Sequence, residues 1–144
     1  EIFNLKTTGN CGPVFFERLQ RAIAKYKKRY NLDVQLVTEV SEAELDFSAE
    51  ESSQLIRIIQ EALANVWKHA AVNSALLHLT KVENRRRITI ADRGMGFDLK
   101  RVSGTAQGSG FGLKIMQERA ESIGGRLEIV SGPGLGTKIV IYLN

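Results

Sequence analysis

From Val14 to Tyr30 the apolar positions Phe15, Phe16, Leu19, Ala22, Ile23 and Tyr26 recur at the spacing of one helix face. Pro13 stands where a first helical residue tolerates the loss of its N–H, and Asn31 is a natural stop. Val34, Leu36 and Val40 then alternate imperfectly with polar neighbours, which predicts a half-buried strand over about 33–40. The clearest element follows. Ser48 and Glu51 have the three-residue spacing of a capping box, in which each residue satisfies a backbone N–H beside the other. Beyond it Leu55, Ile59, Ala62 and Val66 repeat at i, i+4, i+7 and i+11, with Ile58 and Leu63 widening the stripe, so a helix should run to about Ala71.

Strand-like stretches come next at about Ala75–Val82 and Arg87–Ala91, joined by a polar turn over Glu83–Arg86. Residues 92–112 contain six glycines and no apolar period, which reads as a long loop. A third helix starts at Gly112 or Leu113 and closes at Gly124–Gly125. Strands over about 126–131 and 137–143 flank a glycine-rich turn, Ser131–Gly136, and form a hairpin. Short turns between the late strands predict a mixed, mainly antiparallel sheet with about three helices on one face: an α+β two-layer sandwich. No repeat and no linker divides the chain. Residues 1–12 read as an irregular remnant of a preceding segment and 13–144 as one domain.

Composition changes this picture little. A chain of 144 residues with 43% hydrophobic and 25% charged residues suits one soluble domain with a real core. No stretch approaches the roughly 18 apolar residues of a membrane span, and nothing at the start resembles a signal peptide. The chain opens on Glu1 in mid-phrase, which suggests a piece of something longer. A single cysteine, Cys11, excludes an internal disulfide, and with two histidines it leaves no zinc-ligand spacing. The formal charge of +4 gathers at Lys25, Lys27, Lys28 and Arg29 and at Arg85–Arg87, without the interleaved aromatics of a nucleic-acid surface.

Four short segments carry candidate chemistry. Glu61, Asn65 and Lys68 share one helix face, opposite the apolar stripe. An amide oxygen at Asn65 suits Mg²⁺, which takes few protein ligands, and Lys68 can neutralise phosphate charge. Asp92 ends a strand and is followed by Gly94 and Gly96, placing a carboxylate beside closely approachable backbone; such an acceptor suits the exocyclic amine of adenine. Gly108, Gly110 and Gly112 precede a helix, whose N-terminal N–H groups attract anions. Gly134, Gly136 and Thr137 close the final hairpin, where the Thr137 hydroxyl can support a neighbouring site directly or through water. Each segment alone reads equally well as solvated surface or an ordinary turn.

Taken in order, Glu61-x-x-x-Asn65, Asp92-x-Gly94-x-Gly96, Gly108-x-Gly110-x-Gly112-Leu113 and Gly134-x-Gly136-Thr137 resemble the four boxes of the Bergerat-fold ATPases. That superfamily unites gyrase, a heat-shock chaperone, histidine kinases and mismatch-repair proteins. The strings QEALANVWKHA, GFGLKIMQERAESIGG and GPGLGTKIVIYL resemble the short catalytic domain of nitrate- and desaturase-regulating sensor kinases. With the first helix and strand, the likeness covers nearly everything after residue 12.

The resemblance implies Mg–ATP as cofactor and substrate, with Asn65 the metal ligand and Asp92 bound to the adenine amino group. It places Gly94, Gly96 and Phe97 at the base pocket, with Thr137 supporting Asp92. Residues 98–110 become the lid over the nucleotide, and Gly108, Gly110, Phe111, Gly112 and Leu113 its hinge and phosphate contacts. Lys68 and His69 fall near the phosphates. Glu61 matches the general base of superfamily members that hydrolyse ATP, whereas in histidine kinases that role usually lies with the acceptor domain. No histidine here is followed by an acidic residue: His69 precedes Ala70 and His78 precedes Leu79, so the phosphoacceptor motif is missing. The implied acceptor is a histidine in a dimerisation domain of the parent, with relay to a response regulator. The parent is then a homodimer that can be anchored in the inner membrane, and this chain a monomeric cytoplasmic domain that binds no nucleic acid. The alternatives are a serine kinase of the anti-sigma type and a non-catalytic nucleotide-sensing module.

Overall fold

The computed structural model describes residues 12–41, 45–96 and 109–144. Among them are α1 (Gly12–Tyr30), β1 (Asp33–Thr38), α2 (Ala49–His69), β2 (Ser74–Val82), β3 (Arg85–Asp92), α3 (Ser109–Ser122), β4 (Arg126–Ser131) and β5 (Thr137–Leu143). The strands form one sheet in the order β1-β2-β3-β5-β4. Only β1 and β2 run parallel; the other three pairings are antiparallel. The helices pack on one face, over Leu77, Leu79, Ile88, Ile90, Ile139 and Ile141, giving the expected α+β sandwich.

The capping box forms as the spacing requires. The Ser48 Oγ accepts from the Glu51 N–H at 3.1 Å, and Glu51 Oε1 accepts from the Ser48 N–H at 3.0 Å. The stripe Leu55, Ile59, Ala62, Val66 is buried against the sheet, and Phe15 of α1 meets Phe47 at 4.6 Å between ring centres. Arg86 fastens this corner to the sheet. Its guanidinium forms a two-pronged pair with Glu51 at 2.9 and 3.1 Å, donates to the Asp46 and Asn144 carbonyls, and lies 5.3 Å over the Phe47 ring. Burial raises the Glu51 carboxyl, but the Arg86 and Ser48 hydrogen bonds and the Arg86 charge outweigh it, so its pKa is lowered overall.

Boundaries differ from expectation where backbone geometry intervenes. The β2–β3 turn is not four residues but two, because Glu83 and Asn84 both take positive φ (52° and 65°), the geometry of a tight hairpin turn. β3 accordingly starts at Arg85, two residues early. Helix α2 ends at His69, with Ala70 capping it by an N–H to the Val66 carbonyl and Ala71 turning left-handed. Helix α3 begins at Ser109, three residues before the expected start. Helix α1 begins at Gly12, one residue inside the segment expected to be irregular over 1–12, whose residues 1–11 lie outside the described residues.

Candidate functional site

Helix α2 lies across the sheet so that its last two turns meet the end of β3 and the start of β5. Between them and α3 is a cavity of about 190 Å³. Its apolar wall is Ala62, Val66, Ile90, Leu113 and Ile139, and its polar groups are Asn65, His69, Asp92 and Thr137. That size admits one ring system rather than a whole cofactor, given that drug-sized ligands occupy roughly 300–1,000 Å³.

Asp92 is half-buried at the strand end, opposite Thr137 in the ladder. One carboxylate oxygen, Oδ1, accepts from the Gly94 N–H at 2.8 Å, which pins the side chain across the turn. The Thr137 hydroxyl pairs with Ser131 Oγ at 2.9 Å, while Ser131 Oγ also bonds the Gly136 carbonyl at 3.0 Å. Thr137 thus stands beside Asp92 through the ladder, its hydroxyl tied to Ser131.

The glycines hold this corner together by close approach. Met95 donates to the Ala70 carbonyl at 2.8 Å, and Gly134 donates to the Met95 carbonyl at 2.6 Å. A Cβ on Gly94 would sit 2.5 Å from the Ala70 Cβ and nearer still to its carbonyl oxygen. Gly94 therefore packs against the end of α2 and is not in the cavity wall. Gly96 does line the cavity, with φ +64° and no room for a Cβ beside the Gly132 and Gly136 carbonyls.

The N-terminal boxes are brought together unevenly. Asn65 lies at the border of the buried stripe and faces the cavity, so it is not opposite that stripe as the helical wheel suggested. Lys68 is exposed and outside the wall, one residue from the lining His69. Glu61 also stands apart: its Oε2 lies 3.2 Å from where a Gly112 Cβ would be, so the carboxylate leans on the first turns of α3. Nearby, burial pushes the Tyr26 phenol above its usual 10.0, with Tyr30 and Glu61 adding to the rise. Phe97, Gly108 and most of the 98–110 segment lie outside the described residues, while Gly110 and Phe111 fall in the first turn of α3. Sequence reasoning took Ala62, Val66, Ile90 and Ile139 for core alone, and it missed the Ser131 hydroxyl. Nothing in an apolar period marks which core residues border a cavity.

The profile of the histidine kinase-, DNA gyrase B- and HSP90-like ATPases matches residues 50–144, from the first turn of α2 to the end of the chain. The chain belongs to this ATPase family. Sensor histidine kinase LiaS of Bacillus subtilis is 30% identical over 125 residues, covering 87% of this chain and 32% of LiaS. The chain thus spans about a third of that relative's length. The histidine kinase domain of the Erythrobacter litoralis EL346 blue-light activated histidine kinase superposes with a TM-score of 0.69 at 20% identity, over 97% of this chain and 69% of that one. Full-length ShkA in complex with AMPPNP gives 0.69 at 14% identity, over 96% of this chain and 31% of that one. These two show that the ATPase domain shares their fold. None of the described helices of this family member is long and apolar enough to cross a membrane.

Proposed function

We propose that this ATPase domain binds Mg–ATP in the cavity beside α2 and presents the γ-phosphoryl group to a histidine on a dimerisation domain of a longer sensor kinase, for relay to a response regulator. The observation that carries the reading is Asp92. It is a carboxylate at the wall of a small apolar slot, with one oxygen fixed by the Gly94 N–H and the other left to accept from an exocyclic amine. The AMPPNP named with ShkA, an ATP analogue, and the sensor-kinase relatives support the ligand and the role.

Asn65 turns its amide to the cavity, and no group of three His, Cys, Asp or Glu side chains gathers for a metal among the described residues. That donor set fits Mg²⁺, which is held mainly by phosphate and water with one protein oxygen. Bound there, the ion would offset phosphate charge. His69 places a hydrogen-bonding group in the cavity wall, Lys68 next to it in the chain is the cation we assign to the phosphates, and Leu113 brings the N-terminal end of α3, with its outward N–H groups, to the cavity. Catalysis is then positioning and charge neutralisation. Glu61 faces Gly112, so we assign it to placing α3, and the base to the acceptor side. The domain by itself is a monomer, cytoplasmic in its parent, and the parent belongs to the nitrate- and desaturase-sensing type.

Thermal unfolding with and without Mg–ATP tests the site. Ligand at a hundred times its dissociation constant stabilises by about 2.7 kcal/mol. Wild type should shift upward and Asp92→Ala should not; no shift in wild type at millimolar ATP or ADP refutes nucleotide binding. Labelled ATP with an acceptor domain of the parent then decides the chemistry. Histidine labelling supports kinase action, serine labelling points to the anti-sigma type, and binding without transfer points to a sensing module.

A further inference from the structure

The face of the sheet turned away from the helices is a concavity of about 1,110 Å³, several times the size of the site beside α2. The ladder registers place Leu76, Arg87, Lys138 and Val130 on this face. Its charge is mixed with a positive excess: Arg87, Arg93 and Lys138 stand against Asp92, while Asp33 is paired with Lys27. Glu39 at the rim is paired with His78 at 2.9 Å and Glu128 with Arg126 at 3.5 Å, whereas Arg87 and Lys138 have no ion pair among the described residues. Arg87 is half-buried on the central strand β3, and its Nε is shielded from water without a hydrogen-bond partner among the described residues. With no ion pair to Arg87 among the described residues, the terminal nitrogens of this half-buried guanidinium can take a carboxylate in charge-assisted hydrogen bonds. Apolar surface flanks the cations: Leu76, Val130 and Leu135 are 37%, 61% and 83% exposed.

We infer that this face is a docking groove for an acidic protein segment, which places a carboxylate on Arg87 and apolar side chains on Val130 and Leu135. Arginine recognition of acidic segments with apolar anchors at the flank is a recurrent mode of peptide binding. Charge complementarity selects the occupant, because among the described lining residues the unpaired cations Arg87, Arg93 and Lys138 outnumber the unpaired carboxylate of Asp92. A nucleic acid would need a stacking platform, and the Tyr142 ring on this face is covered by Arg126 at 5.0 Å. A flat anionic bilayer does not reach the floor of a concave face. The residues that carry the inference, Arg87, Lys138, Val130 and Leu135, are all absent from the wall of the nucleotide cavity, which shares only Asp92 and Thr137 with this face among the described residues.

A display selection of random 14-residue peptides on the 144-residue chain tests it, read beside binding of anionic phosphatidylglycerol vesicles and of a DNA duplex. Retained peptides should be rich in Asp and Glu with Leu, Ile or Phe between them. Binding should weaken tenfold or more in Arg87→Gln and in Lys138→Gln, and excess ADP should not compete. Arg87→Gln should also keep or raise the unfolding midpoint, because it removes an unsatisfied nitrogen. The proposal is overturned if no acidic peptides are enriched, if their binding survives both substitutions, or if ADP displaces them. Preference for vesicles or duplex overturns it equally, as does an Arg87→Gln chain that loses stability, which would make Arg87 a structural residue.

Discussion

Replacing Gly94 by alanine tests whether the close approach of the β3 end to helix α2 holds the site together. The added Cβ would lie 2.5 Å from the Ala70 Cβ and 2.8 Å from the Ala70 carbonyl carbon. Carbon atoms pack at about 3.5 Å or more, so the turn must retreat by about 1 Å. That motion stretches the 2.8 Å bond from Met95 N–H to the Ala70 carbonyl to about 3.8 Å, beyond hydrogen-bonding range. An unmade bond of this kind costs about 1–3 kcal/mol, and the overpacking a similar amount, for a total of about 2–5 kcal/mol. Urea unfolding followed by circular dichroism reads it directly. Gly134→Ala is the matched control: its φ is +78° but nothing lies within 4 Å of a Cβ there, so only the left-handed backbone penalty of about 1–2 kcal/mol applies. The Asp92–Gly94 bond spans the same turn, so the Mg–ATP thermal shift should shrink in Gly94→Ala and persist in Gly134→Ala. A Gly94→Ala chain within about 0.5 kcal/mol of wild type, or more stable than Gly134→Ala, would refute the packing argument.

Four further outcomes follow from particular contacts. Arg86→Ala should cost about 2–3 kcal/mol in urea unfolding, because it strips a mostly buried charge-assisted pair from Glu51 and frees the Asp46 and Asn144 carbonyls. The Glu51 carboxyl has its pKa lowered by folding, so its contribution is complete above the unfolded value near 4.5 and is lost as pH falls through the lower folded value. The stability gap between wild type and Glu51→Gln should therefore narrow in unfolding curves taken from pH 6 down to pH 3. The Ser52 hydroxyl is buried without a hydrogen-bond partner among the described residues, so Ser52→Ala should leave the unfolding free energy unchanged or raise it by up to about 1 kcal/mol; a loss above about 1 kcal/mol would show a further partner. Asn65→Ala should weaken Mg–ATP more than metal-free ATP in calorimetric titration, and equal weakening would remove Asn65 from the metal's surroundings.

The sequence by itself determined what depends on neighbours a few residues apart. The capping box at Ser48 and Glu51, the apolar stripe of α2, the final hairpin and the order of elements all follow from local hydrogen bonds and from the 3.6 and 2 residue periods. The four boxes were legible because their residue types recur in order, and they led to the ATPase family that the profile matches over residues 50–144. Tertiary structure decided the rest. The strand order β1-β2-β3-β5-β4 brings the start of β5 beside the end of β3, which no local pattern encodes. Only that pairing sets Thr137 opposite Asp92 and puts Ile139 into the cavity wall. Asn65 and Glu61 are four residues apart on one helix, yet one faces the cavity and the other Gly112, because α3 packs against α2 on the Glu61 side. Gly94 and Gly96 look alike in the chain. One is glycine because Ala70 crowds it, the other because its backbone turns left-handed beside Gly132 and Gly136, and both reasons lie in segments more than twenty residues away. The same holds for Arg87, an ordinary member of a basic run until the central strand sets it on the open face without an ion pair among the described residues.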